Sequence, residues 1–329
     1  MARELAYVLI NPYTLAKSRT GGVIARYIQR TDLNFVAARM FGPSQRLVKE
    51  YASLVRRVDP DYSETTNLIA DYILKSYAPN PATGRPRRVM LLLFEGEDAI
   101  RRIWKVTGSA TLRNGSGQTI RDPYGDYILD AHGNVRYFEP AVLVAPSKRR
   151  AEQALRLWAR FSESDGGIIE HATDVAEGPS TQKTLVLLKP DNFRYASARP
   201  GSIIDTLSTS GLRIVGTKKL CMTVAQAEMF YGPVRDALKS KFKDIGSPRA
   251  AEVLEREFGF KVPTDAVRDL CERLGPVFAQ EQFESIVKFM TGFAPSECSP
   301  SEKERLGCEG CLALVYEGPN AIQTIRGTL

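Results

Sequence analysis

Two stretches of the chain carry an apolar run straight into a polar residue and a proline. In TLVLLKPDNF, residues 184–193, the run ends on Lys189; in AYVLINPYTL, residues 6–15, Asn11 holds the same place. A strand that ends by presenting a cation is a candidate contact for an anion, whereas asparagine keeps the hydrogen-bonding capacity without the charge. Histidine, the commonest acid–base residue near neutral pH, occurs only twice. His132 falls in the turn sequence HGN and His171 in a polar connection, so both read as solvated. Cys308 and Cys311 form CEGC, with Cys298 and Cys271 upstream, a spacing that could assemble zinc ligands. The competing reading is ordinary core and loop cysteines, because Cys311 opens the apolar run CLALVY.

The elements that must position these residues come as a repeat. After each opening strand follow a glycine-led helix, a second strand and a helix ending on a tyrosine. Val23, Ile24, Tyr27 and Ile28 share one helical face, as do Ile203, Ile204 and Leu207. Gly211 stands where a left-handed helix terminus is wanted, and Thr223 with Gln226 reads as a capping box. Further on, RRVMLLLFEGEDAI (87–100) matches CLALVYEGPNAI (311–322), each a strand ending in aromatic-Glu-Gly before a helix. Three blocks in one order predict a duplication: a first domain over 1–161, a linker over 162–183, and a second domain over 184–329. The second carries an insertion at about 246–305 with helices in SPRAAEVLEREFG and TDAVRDLCERL. The first has a strand pair in YGDYILDAHGNVRYF and a helix in AEQALRLWARF; the second reads as stopping before its counterparts.

The 329 residues suit two domains, and 43% hydrophobic with 25% charged residues is the ordinary globular range. No apolar run is long enough for a membrane span, and the start lacks the layout of a secretory signal. Five cysteines, an odd number confined to the second half, predict a reducing, cytoplasmic setting rather than a disulfide framework. A net charge of +7 favours anionic partners. Basic clusters such as GRPRRV and SKRRAEQALRLWAR raise nucleic acid as a partner, but no aromatic platform accompanies them.

The strand–Lys-Pro-Asp phrase and the Glu-Gly block together resemble the nucleoside diphosphate kinase family. The resemblance is close over 184–242, resumes at FESIVKFMTG (283–292) and CLALVYEGPNAIQTIRGTL, and runs more loosely from Ala6 to Phe161. It implies an α+β fold of ferredoxin-like domains, each an antiparallel four-stranded sheet covered by helices. It also implies phosphoryl transfer from a nucleoside triphosphate to a nucleoside diphosphate through a phosphohistidine, with Mg²⁺ accompanying the nucleotide. By position, Lys189 and Arg326 would contact phosphates, Tyr231 would line the site, and Phe283 would stack the base. Pairing is expected either between copies of the chain or between its two repeats.

The first repeat departs from this pattern where the chemistry would occur. Asn11 replaces the lysine, Trp104 stands at the position matched by Arg326, and Leu143 falls at the nucleophile. Arg121 matches a phosphate-binding arginine of the family. The first repeat is therefore expected to be inactive, and the second repeat's histidine is expected beyond residue 329. The alternative is an inactive nucleotide-binding or scaffolding protein on the same fold.

Overall fold

A computed structural model describes residues 3–57, 63–111, 117–175 and 178–328. The chain divides into two compact units, one of residues 1–220 with 312–329 and one of residues 221–311. This division lies elsewhere than the expected linker at 162–183, for a reason visible in the sheet.

The first repeat runs β1 (Arg3–Ile10), α1 (Pro12–Ala16), α2 (Thr20–Thr31), β2 (Asn34–Phe41), α3 (Gln45–Arg56), α4 (Ser63–Ser76) and β3 (Val89–Glu97). It continues with α5 (Ala99–Thr107), α6 (Arg121–Tyr124), the hairpin β4 (Asp126–Leu129) and β5 (Val135–Glu139), β6 (Val142–Val144) and α7 (Lys148–Arg160). The second runs β7 (Thr181–Leu188), α8 (Arg199–Ser208), β8 (Arg213–Thr223), α9 (Val224–Phe258), α10 (Thr264–Thr291), α11 (Pro300–Lys303), β9 (Leu306–Pro319) and α12 (Ala321–Thr328). Helices and a large antiparallel sheet give the expected α+β class.

Seven strands form one sheet in the order β6-β1-β3-β2-β8-β9-β7. The first four have the ferredoxin-like arrangement, and the other three mirror its β2-β3-β1 portion. The join is β2 against β8, antiparallel, with Arg39 opposite Lys218. Both repeats therefore contribute to one sheet and one compact unit. The connection between them is pinned to that sheet: the Gly42 amide donates to the Asp165 carbonyl (2.8 Å), Gly167 to Met40 (2.9 Å) and Ile169 to Val215 (2.9 Å). Ile169 and Thr173 are buried, so the stretch expected as a linker is tied down over much of its length. Its residues 176 and 177 lie outside the described residues.

The two halves agree in detail. Ile10, just before Asn11, pairs with Met90, and Leu188, just before Lys189, pairs with Leu312. From there the registers run in step, with Ala6 opposite Phe94 and Thr184 opposite Tyr316. The Glu-Gly blocks have a steric cause. A Cβ on Gly96 would lie 2.5 Å from Leu33 Cδ2, and a Cβ on Gly318 would lie 2.5 Å from Leu212 Cδ2. Each leucine follows a left-handed residue, Asp32 (φ 52°) or Gly211 (φ 75°), that turns the chain out of the preceding helix. Helices α2 and α8 cross at Gly21 and Gly201, where a Cβ on either would meet the other's carbonyl oxygen. Asp205 caps this contact by accepting from the Gly22 amide (3.1 Å).

The second unit is built on α9 and α10. The Thr223–Gln226 capping box opens α9, with both reciprocal bonds at 3.1 Å. The helix then continues past Tyr231, through Pro233 and Pro248, to a left-handed Gly259. Helix α10 runs unbroken to Gly292. The segment expected as a separate insertion thus lengthens two helices into one hairpin, held by Phe242 stacked on Phe278 at 4.3 Å. Gly275 lets the partner backbone approach: a Cβ there would stand 3.1 Å from the Lys239 carbonyl oxygen.

Candidate functional site

In the first repeat, β1 delivers Asn11 into the interior, fully buried. Its Nδ2 donates to Glu139 Oε1 (3.0 Å), and its Oδ1 accepts from the Tyr77 hydroxyl (2.7 Å). Glu139, at the end of β5, also accepts from the Tyr72 hydroxyl at 2.8 and 2.7 Å and from the Ala141 amide at 3.1 Å. Burial raises the Glu139 carboxyl above its ordinary range, and the bonds from Asn11, Tyr72 and Ala141 offset part of that rise. Burial, with Glu139 next in importance, likewise pushes the Tyr72 and Tyr77 hydroxyls upward. The place that holds Lys189 in the second repeat is therefore occupied here by a neutral amide tied into a closed network.

Arg121, expected to contact phosphate, is buried and turned onto the backbone. Nε donates to the Pro140 carbonyl (3.2 Å), Nη1 to Gly108 (2.8 Å) and Nη2 to Val142 (3.1 Å). Burial lowers its guanidinium to about 10, the nearby Tyr27 and Tyr77 opposing the shift. Leu143 lies in β6 opposite Leu9, 2% exposed, and a hydrocarbon side chain cannot accept a phosphoryl group. Trp104 stands on α5, 41% exposed. Nothing in the sequence distinguished Glu139, Tyr72 and Tyr77.

In the second repeat, Lys189 follows β7 and caps the 3-10 turn Pro190–Asn192, its side chain exposed. Arg326 is exposed in the last turn of α12, which packs against β7 and α8. Both belong to the first compact unit; Tyr231 and Phe283 belong to the second. Tyr231 is half-buried on α9, its hydroxyl raised by burial and then by Cys311. Phe283 is buried in the hairpin with the Arg235 guanidinium 4.9 Å over its ring. His132 sits exposed at the β4–β5 turn and His171 exposed in the connection between repeats.

The zinc reading of Cys298, Cys308 and Cys311 finds no support. Among the described residues no group of three or more His, Cys, Asp or Glu side chains could hold a metal ion. The reason is local: Cys308 and Cys311 lie three apart on β9, so they face opposite sides of the strand. Cys311 is buried, and the Cys308 thiol faces the Thr291 carbonyl at 3.7 Å. No helix among the described residues is long and apolar enough to cross a membrane.

The nucleoside diphosphate kinase family profile matches residues 182–282, the second repeat up to α10. A nucleoside diphosphate kinase of Helicobacter pylori (strain P12) is 35% identical over 108 residues, spanning 30% of this chain and 71% of that protein. The chain belongs to the nucleoside diphosphate kinase family. A second such kinase, from Rhizorhabdus wittichii, is 37% identical over 83 residues, 24% of this chain and 56% of the relative. Among solved structures, the Borrelia burgdorferi kinase described as a transition-state mimic with vanadate and ADP aligns at 18% identity and a TM-score of 0.38. It covers 47% of this chain and 86% of that one. The Pyrobaculum aerophilum NDP kinase aligns at 18% identity and a TM-score of 0.35, covering 48% and 96%.

Proposed function

We propose that the chain is a tandem duplication of a nucleoside diphosphate kinase unit in which only the second copy handles nucleotide. In this reading the second copy serves phosphoryl transfer from a nucleoside triphosphate to a nucleoside diphosphate. The observation that carries it is the contrast at one strand end: Lys189 is exposed, whereas Asn11 is buried and bonded to Glu139 and Tyr77. Shared register, shared left-handed residues and the paired Gly96–Leu33 and Gly318–Leu212 contacts support the duplication.

Lys189 and Arg326 would supply positive charge to the polyphosphate, which would arrive as its Mg²⁺ complex. Charge-assisted bonds to phosphate are worth about 1.5–3 kcal/mol each. The nucleophilic histidine that the family chemistry requires is neither His132 nor His171, which lie on an exposed turn and an exposed connection. The closed first copy favours a second reading for that half, a scaffold that completes the sheet through the β2–β8 join.

Calorimetry with Mg·ADP tests the assignment. Lys189→Asn, which copies the first repeat, should weaken binding roughly tenfold or more, the equivalent of at least about 1.4 kcal/mol. Asn11→Lys should restore no site, because Arg121 stays on its carbonyls and Leu143 stays buried. Unchanged affinity in Lys189→Asn would reduce the lysine to a surface residue at a strand end.

A further inference from the structure

The first repeat contains a cavity of about 600 Å³ whose walls include Tyr7, Tyr51, Leu54, Ile69, Trp104 and Leu143. That volume and a mainly apolar, aromatic lining are those of a small-molecule site. Among the described residues three cations border it, Lys105, Arg121 and Arg150, and no carboxylate does. An apolar cavity bordered by positive charge favours a ligand with an apolar body and an acidic end.

The arrangement of the cations narrows the ligand further. Arg121 is buried with three of its five N–H groups committed to backbone carbonyls, so it offers field and at most two donors to a ligand. Arg150 gives Nη1 to the Leu54 carbonyl (2.9 Å). Lys105 is exposed, one residue beyond Trp104. A polyphosphate needs several converging donors; a single carboxylate needs one or two at the mouth. We propose that the first repeat binds an amphipathic monocarboxylate, its hydrocarbon part among Tyr51, Leu54, Ile69 and Leu143 and its acid group toward Lys105 and Arg150. This inference is independent of the nucleotide reading of the second repeat.

Dodecanoate is the probe, with binding followed by calorimetry and by tryptophan fluorescence. Trp104 lines the cavity, while Trp158 is 1% exposed and does not, so the signal should disappear in Trp104→Phe with heat of binding retained. Lys105→Glu, at an exposed position, should weaken dodecanoate about fivefold through lost attraction and new repulsion, and should leave the neutral dodecanol unaffected. Val55→Trp, which fills the cavity from its half-buried wall, should abolish both. Circular dichroism of each variant establishes that it is folded. The proposal is overturned if dodecanoate gives no heat up to its solubility limit. It is equally overturned if binding survives in a folded Val55→Trp, or if Mg·ADP displaces the probe competitively, which would make this a nucleotide pocket.

Discussion

Replacing Arg121 by methionine separates a structural arginine from a phosphate ligand. Methionine keeps most of the apolar stem and removes the guanidinium, stranding the carbonyls of Gly108, Pro140 and Val142. Three charge-assisted bonds at about 1.5–3 kcal/mol each amount to roughly 5–9 kcal/mol. Against this stands the cost of burying the charge, which the lowered value of about 10 expresses; relieving it returns about 3 kcal/mol. The net loss should be about 2–6 kcal/mol, large against a typical domain stability of about 5–15 kcal/mol. Arg121→Lys should recover less than half, since one ammonium cannot reproduce a planar fork serving three acceptors. Urea denaturation without nucleotide measures this directly, the midpoint falling with an unchanged slope. A loss below about 1 kcal/mol would refute the reasoning and return Arg121 to the pool of ligand-binding cations.

Two further outcomes follow from particular contacts. Gly96→Ala and Gly318→Ala should each destabilise by about 1–3 kcal/mol and by similar amounts, because each new methyl meets a leucine Cδ2 at the same separation; calorimetric unfolding of the two variants shows whether the halves behave alike. Glu139 is buried and its carboxyl raised, so the folded state holds its proton more tightly than the unfolded chain. Its contribution therefore falls as pH rises from the ordinary glutamate value to the raised one. In that window the wild type should gain stability on acidification relative to Glu139→Gln, and parallel pH profiles of the two proteins would contradict the account.

Much of the architecture was legible because it is written in short-range terms. The capping box at Thr223, the left-handed Gly211 and the hairpin around Gly133 each rest on one or two residues with a local physical demand. The Glu-Gly blocks were visible as pattern, although their cause, a leucine lying on the missing Cβ, is a tertiary contact. What escaped was long-range. Nothing near Asn11 announces Glu139, which lies 128 residues away and meets it only through the sheet. The connection at 162–183 looked loose because the bonds that pin it to β2 and β8 are made to residues distant in sequence. The length of α9 was hidden by Pro233 and Pro248, which locally argue for a break that packing against α10 overrides. The spacing of Cys308 and Cys311 left zinc as the minor reading beside ordinary core and loop cysteines, and the strand assignment places the two on opposite faces.

The central claim is that nucleotide is held by the second repeat and not by the first. Photoaffinity labelling with an azido-substituted ADP in the presence of Mg²⁺, followed by peptide mapping, tests it most directly. The account predicts labelled peptides only within residues 184–328, competed away by unmodified ADP and diminished in Lys189→Asn. Specific, ADP-competed labelling of peptides from residues 3–161 would contradict it.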